Sequence, residues 1–199
     1  MPRLILASAS PYRRGLLERL GVPFEVRPAT ADESALPGED APTLAARLAT
    51  AKARSVEILD HAADAIILGA DQVAALNGEL LRKPGDHRTA LRQLSACQGE
   101  TVVFSTATTV IDCSSGRQWY GLDSTAVVFL KLSQAHLNRY LELERPYDCT
   151  GGFKAERLGI SLFRTIRSED PTALLGLPLI WLTQILRDLD LDPLDSSRR

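Results

Sequence analysis

The stretch RLILASASPYRRGLLERLG, residues 3–21, decides the fold class. Its first five residues, apolar after Arg3, read as a short buried strand. Ser10 is placed as a helix cap, Pro11 as the first helical residue, Leu16, Leu17 and Leu20 as one apolar face, and Gly21 as the terminator. A strand, a tight loop and a helix in direct succession are the building unit of an α/β fold.

Outward from this unit the alternation continues. Residues 23–27 read as a second strand, residues 31–42 as an acidic loop containing Pro and Gly, and residues 43–59 as a helix. Residues 65–68 are strand-like, and residues 72–81 contain Asn77-Gly78, the strongest short hairpin signal, so Asp71 is expected between two extended segments. Asp86 caps a helix carrying Ala90, Leu91 and Leu94. Residues 101–112 and 119–130, rich in β-branched and aromatic side chains, flank Ser114-Ser115-Gly116 and predict a long antiparallel pair. Ser133 opens a further helix, with Leu137, Tyr140 and Leu141 on one face and Pro146 closing it. Residues 149–159 are glycine-rich and irregular, a strand is expected near residues 160–166, and a helical segment starts at Asp170-Pro171, is broken or restarted by Pro178, and continues over residues 180–189. The expectation is one α/β domain over residues 1–190 and a C-terminal tail over residues 191–199.

Composition narrows the function. With 199 residues, 45% apolar and 24% charged, the chain can build one core, or two lobes sharing one sheet. A net charge of -2 supplies no cationic field for nucleic acid or an anionic membrane. Cys97, Cys113 and Cys149 form no CxxC pair and no zinc spacing with His61, His87 or His136, which suits a reduced cytoplasm. The run at residues 4–9 is shorter than a signal-peptide core, and the later run at residues 174–182 is interrupted by Pro178. Of 23 basic residues only Lys52, Lys83, Lys131 and Lys154 are lysines. Either a compositional bias leaves a few by chance, or some positions need a compact ammonium that guanidinium does not replace.

Three sets of residues point to phosphate chemistry. Ser8, Ser10 and Arg13 lie where a strand meets a helix start, so hydroxyls, an arginine and the helix dipole would together cradle a phosphate; capping by Ser10 is the plainer reading. Asp32-Glu33 in a loop and Asp71 after the apolar run Ile66-Ile67-Leu68-Gly69-Ala70 offer hard oxygen ligands for a divalent cation such as Mg2+ or Mn2+. Lys52, Lys83 and Lys154 are candidate point charges for a triphosphate, although Lys52 read alone is an ordinary helical lysine.

Taken together, Ser8-Ala9-Ser10-Pro11-Tyr12-Arg13-Arg14, Asp32-Glu33, Lys52-Ala53, Gly69-Ala70-Asp71-Gln72-Val73, Lys83-Pro84 and Phe153-Lys154-Ala155-Glu156 resemble the Maf family in content and order, over roughly residues 4–189. The resemblance implies an elongated mixed β-sheet with flanking helices, two lobes around a deep cleft as in the inosine-triphosphate pyrophosphatases, and hydrolysis of a nucleoside triphosphate between its α and β phosphates. It implies Asp71 as proton acceptor, Arg13, Glu33, Lys52 and Lys83 as the polar cleft, and Tyr12, Gln72 and Glu156 as specificity positions. Ser8, Ser10 and Lys154 would bind substrate, and Glu33 and Asp71 the metal.

Tyr12, Gln72 and Glu156 resemble the branch that hydrolyses 7-methyl-GTP to 7-methyl-GMP and diphosphate, rather than the dTTP/UTP branch. An aromatic face and a carboxylate suit a cationic methylguanine. Arg82, Gly152, Ala155 and Arg157 depart from the usual family residues, and these departures bear on base preference. A nucleotide-binding regulator of septum formation without turnover is the alternative from another class, against which Asp71 counts. The expected partner is a nucleoside triphosphate, with no nucleic acid or membrane, and a homodimer stays open.

Overall fold

The computed structural model describes residues 2–60 and 64–195. In chain order its elements are β1 (Arg3–Leu6), α1 (Pro11–Glu18), β2 (Phe24–Val26), α2 (Ala41–Asp60), β3 (Ala65–Leu76), β4 (Glu79–Leu81), α3 (His87–Ala96), β5 (Thr101–Asp112), β6 (Gln118–Phe129), α4 (Gln134–Glu144), β7 (Phe163–Arg167) and α5 (Leu179–Asp188), with 3-10 turns at Thr150–Gly152, Leu158–Leu162 and Ala173–Leu175. The sheet runs β2-β1-β3-β5-β6-β7, with β4 paired to β3. Its β1 contacts are parallel and the rest antiparallel, so the fold is mixed α/β.

Strand periodicity sorts the cores. Leu4, Leu6, Ile66, Leu68 and Ala70 point to one face and pack with Leu16, Leu17, Leu182 and Leu186 of α1 and α5. Ile5, Ile67, Val73 and Ala107 point to the other, against Ala45, Ala49, Ala53 and Val56 of α2. The far ends of β3, β5 and β6 carry a second lobe, where Ala74, Phe104, Val127 and Phe129 pack with Leu94 of α3 and with Leu137 and Leu141 of α4. Two lobes therefore share one sheet.

Local signals place most elements where the sequence predicts them. Ser10, Asp86 and Ser133 cap α1, α3 and α4. Asn77 and Gly78 take positive φ (51° and 86°) in the β3–β4 turn, as that tight turn requires. The helix expected from residue 43 starts at Ala41, because Asp40 accepts the Thr43 N–H and Pro42 is tolerated in the first turn. Residues 158–162 wind as a 3-10 turn before β7, and the segment after Pro171 makes one such turn before α5. Leu191, the first residue of the expected tail, is buried in the α1/α5 core, while residues 196–199 lie outside the described residues.

Asp71 does not separate two extended segments, as the sequence leads one to expect: β3 continues through it, with Asp71 opposite Ala107 and Gln72 opposite Thr106. What ends there is β1, whose last ladder partner on β3 is Leu68, whereas β4 joins β3 only at Ala74. Between them, the edge of β3 over residues 69–73 has no ladder partner among the described residues. A gap in the sheet edge lets side chains from both faces of β3 reach one space.

Candidate active site

That space is a cleft of about 460 Å³, within the size range of small-molecule sites. Ser8, Ser10, Tyr12, Arg13, Glu33, Lys52, Asp71, Gln72, Lys83, Lys154 and Glu156 all line it, so the structure brings together the candidates named from sequence with the exception of Asp32.

At its centre lies a buried ion pair. Lys52 Nζ is 2.6 Å from Asp71 Oδ1 and 2.6 Å from Glu33 Oε1. Lys52 is 9% exposed and Asp71 7%, so Lys52 is not the solvent-facing helical lysine of the plainer reading. Its inward position follows from small residues. Ala49 and Ala53 flank it on α2, and Gly69 of β3 lets the helix backbone approach so closely that a Cβ at that glycine would stand 2.3 Å from Ala49 O. The hydrogen bond from Lys52 holds the Glu33 carboxyl below its ordinary value, with Lys83 and Arg13 adding to the effect. Asp32, by contrast, folds back on its own loop, accepting the Ser34 N–H at 2.9 Å, and does not line the cleft.

Arg13 projects from the first turn of α1. Its Nε donates to Gly176 O at 3.0 Å and its Nη1 to Ser8 Oγ at 3.4 Å. Burial lowers its proton affinity, and the nearby Asp71 and Glu33 carboxylates partly restore it. The phosphate cradle predicted at this helix start is altered in one respect. Ser10 N–H donates to Ser8 Oγ, and Arg13 N–H to Ser10 Oγ. Two of the expected amide donors are thus consumed within the loop.

A second group surrounds Tyr12. Its hydroxyl lies 3.8 Å from Cys149 Sγ, which in turn lies 3.5 Å from Asp148 Oδ1. Burial raises the phenol well above its usual range, and Cys149, Glu156 and Asp148 act in the same direction, so Tyr12 stays neutral. Burial also pushes the Cys149 thiol up to about 11. Gln72 is held differently: its Nε2 donates to Thr106 Oγ1 at 2.9 Å and to the carbonyls of Ala173 and Leu174, both at 3.0 Å. Its amide nitrogen is therefore committed to protein, and Oε1 is the end it can offer a ligand, as an acceptor. Lys154 also lines the cleft with a commitment, since its Nζ donates to Glu144 O at the C-terminal end of α4.

The segment that carries Lys154 and Glu156 is anchored by Phe153, edge-on to Phe104, Phe129 and Phe163 at centroid distances of 5.2, 5.7 and 4.7 Å. Cleft residues outside the predicted set include Asp148, Cys149, Thr150, Leu174 and Gly176. Leu174 and Gly176 take part through their backbone carbonyls, which accept from Gln72 and Arg13 and carry no residue-type signal in the sequence.

Among the described residues, no group of three or more His, Cys, Asp or Glu side chains forms a ready metal site. Glu33 and Asp71 nevertheless fit a hard divalent ion: both are carboxylates, and both already converge on one cationic atom, Lys52 Nζ. Two protein carboxylates are what Mg2+ uses when substrate phosphates and water complete its shell. No helix among the described residues is long and apolar enough to cross a membrane.

Comparison with known proteins agrees with the motif resemblance. The family profile described as Maf-like protein matches residues 3–189. A 7-methyl-GTP pyrophosphatase of Xanthomonas axonopodis pv. citri (strain 306) is 50% identical over 187 residues, covering 94% of this chain and 96% of that one. A protein of the same name from Pseudoalteromonas atlantica (strain T6c / ATCC BAA-1087) is 45% identical over 190 residues, covering 96% of both. Among solved structures, a nucleoside-triphosphatase / dITP/XTP pyrophosphatase from Mycobacterium abscessus has a TM-score of 0.47 at 15% identity, covering 94% of this chain and 97% of its own. With a family match over nearly its whole length and relatives at 45–50% identity, the chain belongs to the Maf family.

Proposed function

We propose that this protein is a nucleoside triphosphate pyrophosphatase that hydrolyses 7-methyl-GTP to 7-methyl-GMP and diphosphate. The observation that carries the proposal is the pairing of two groups in one cleft. One, Lys52, Asp71, Glu33 and Arg13, suits a triphosphate; the other, Tyr12 with Glu156, suits a cationic base. The names of the relatives at 45–50% identity point the same way.

In the reaction, Asp71 accepts the proton of a water directed at the α-phosphorus, with its Oδ1 oriented by Lys52. Arg13, Lys52 and Lys83 stabilise negative charge that builds on the departing diphosphate. Glu33 and Asp71 would hold Mg2+ or Mn2+, which neutralises phosphate charge when bound with the substrate. Tyr12 packs against the methylated ring, Glu156 accepts from the guanine N–H edge, and Gln72 Oε1 adds a neutral acceptor.

The test is product analysis on 7-methyl-GTP, GTP, UTP and dTTP, with magnesium and with EDTA. Diphosphate and the monophosphate are expected, with 7-methyl-GTP preferred and activity lost in EDTA. Orthophosphate as the sole phosphate product would refute the reaction. Preference for UTP or dTTP would move the chain to the pyrimidine branch.

A further inference from the structure

The loop carrying Glu33 is held by residues that contact no part of the cleft. On α2, Arg47 Nε donates to Glu39 Oε1 at 2.6 Å, and Arg47 Nη2 donates to Glu39 Oε2 at 2.8 Å and to Ser34 O at 2.9 Å. Glu39 also accepts the Leu36 N–H at 2.9 Å, and its side chain is 5% exposed. From the other side, Asp32 Oδ1 accepts the Ser34 N–H at 2.9 Å. Ser34, the residue after Glu33, is thus gripped through both its N–H and its C=O.

The clamp and the site share one element. Arg47 and Lys52 lie on the same helix, α2, which packs against β3 and β5. Fixing the loop to Arg47 therefore fixes Glu33 relative to Lys52, and through Lys52 relative to Asp71. Glu33 needs this support, because its own side chain is 54% exposed and its ion pair is with Lys52. Two parallel N–H···O bonds give direction as well as strength, which a lysine at this position would lack.

We propose that Arg47, acting with Glu39, is a positioning residue of the active site that holds the 31–40 loop so that Glu33 meets Lys52 and the metal-bound triphosphate. This rests on the role given to Glu33 above. The clamp also survives acid: its bonds from Arg47 hold the Glu39 carboxyl down at about 2, so the pair stays ionised wherever the enzyme is assayed.

A double-mutant cycle on the full chain tests the proposal. Diphosphate release from 7-methyl-GTP at saturating magnesium is measured for wild type, Arg47→Lys, Glu33→Gln and the double variant, with a thermal melt of each. Arg47→Lys is expected to lower kcat/KM on the order of tenfold, and to add under about threefold once Glu33 is replaced. Losses that multiply in the double variant would overturn the proposal, because a purely structural residue acts whether or not Glu33 is present. If Glu33→Gln alone retains full activity, the reading of Glu33 fails separately. The clamp is then judged by amide hydrogen exchange over residues 31–36: faster exchange in Arg47→Lys supports it, and unchanged exchange overturns it. Should Arg47→Lys fail to fold, Glu39→Gln replaces it in the same cycle.

Discussion

Gly69→Ala is a one-carbon change that should disable the site without touching a charged group. A Cβ at Gly69 would lie 2.3 Å from Ala49 O, 2.7 Å from Ala53 N and 2.9 Å from Ala53 Cβ. Ordinary contact begins at 3.4 Å, so the nearest pair is short by 1.1 Å. None of these atoms can escape by changing a rotamer; α2 as a whole must retreat from β3. Lys52 lies between Ala49 and Ala53 and would be carried with the helix. A shift of about 1 Å would take Lys52 Nζ, now 2.6 Å from Asp71 Oδ1, beyond hydrogen-bond range. Misplacement of that size costs roughly 100-fold in rate, or about 2.7 kcal/mol of barrier. Overpacking itself costs about 1–3 kcal/mol of stability, which for a chain of this size lowers Tm by roughly 2–12 °C. The assay is kcat/KM for diphosphate release beside a thermal melt, with Gly15→Ala as control. Gly15 lies within α1, and a Cβ there meets nothing within 4 Å, so that variant should keep full activity and gain up to about 1 kcal/mol. A Gly69→Ala enzyme with wild-type activity would refute the claim that helix approach at this glycine sets the Lys52–Asp71 geometry.

Asp71→Asn should reduce turnover by about a thousandfold or more while circular dichroism stays native, since the amide keeps an acceptor for Lys52 but cannot take a proton; retained activity would remove Asp71 from the role of base. Glu156→Gln should lower efficiency for 7-methyl-GTP by about tenfold more than for UTP, and equal losses would mean that Glu156 supports the loop instead. Its exposed position argues for that modest figure. The Glu33–Lys52 pair should make stability pH-dependent in a defined direction. Because the folded Glu33 carboxyl is held below 4.5, the pair's contribution is complete above that value and is lost as the pH falls through the folded one. Urea midpoints of wild type and Glu33→Gln should therefore converge in acid, and a constant gap would count against the pair. Alkylation of Cys149 in a Cys113→Ser background should be slow at pH 8 and accelerate toward pH 11, and bound nucleotide should block it.

The amino-acid sequence by itself determined the local units and named residues that the fold brings together in the cleft, Asp32 excepted. Period-two apolar runs, Ser and Asp caps, Pro11 and the Asn77-Gly78 turn are signals between near neighbours, and the structure has β1, α1, α3, the β3–β4 hairpin and the long β5–β6 pair where those signals place them. Conversely, the plainer reading of Lys52 as a solvated helical lysine failed, because whether a lysine faces water depends on the strand beneath it, and here Gly69, Ala49 and Ala53 leave room for it to turn inward. The continuity of β3 through Asp71 was equally hidden, since an acidic residue followed by Gln looks locally like a strand end and only the partner β5 keeps it extended. Asp32 and Glu33 are adjacent in sequence, yet one closes a turn on Ser34 and the other reaches Lys52. Nor does any motif announce that the Gln72 amide is taken by the carbonyls of Ala173 and Leu174, about a hundred residues away. Short-range pattern fixes conformation and residue type because its forces act within a turn or two. Which face a side chain meets, and which of its donors remain free for a ligand, depend on contacts between segments that are distant in sequence, and these exist only once the sheet has assembled.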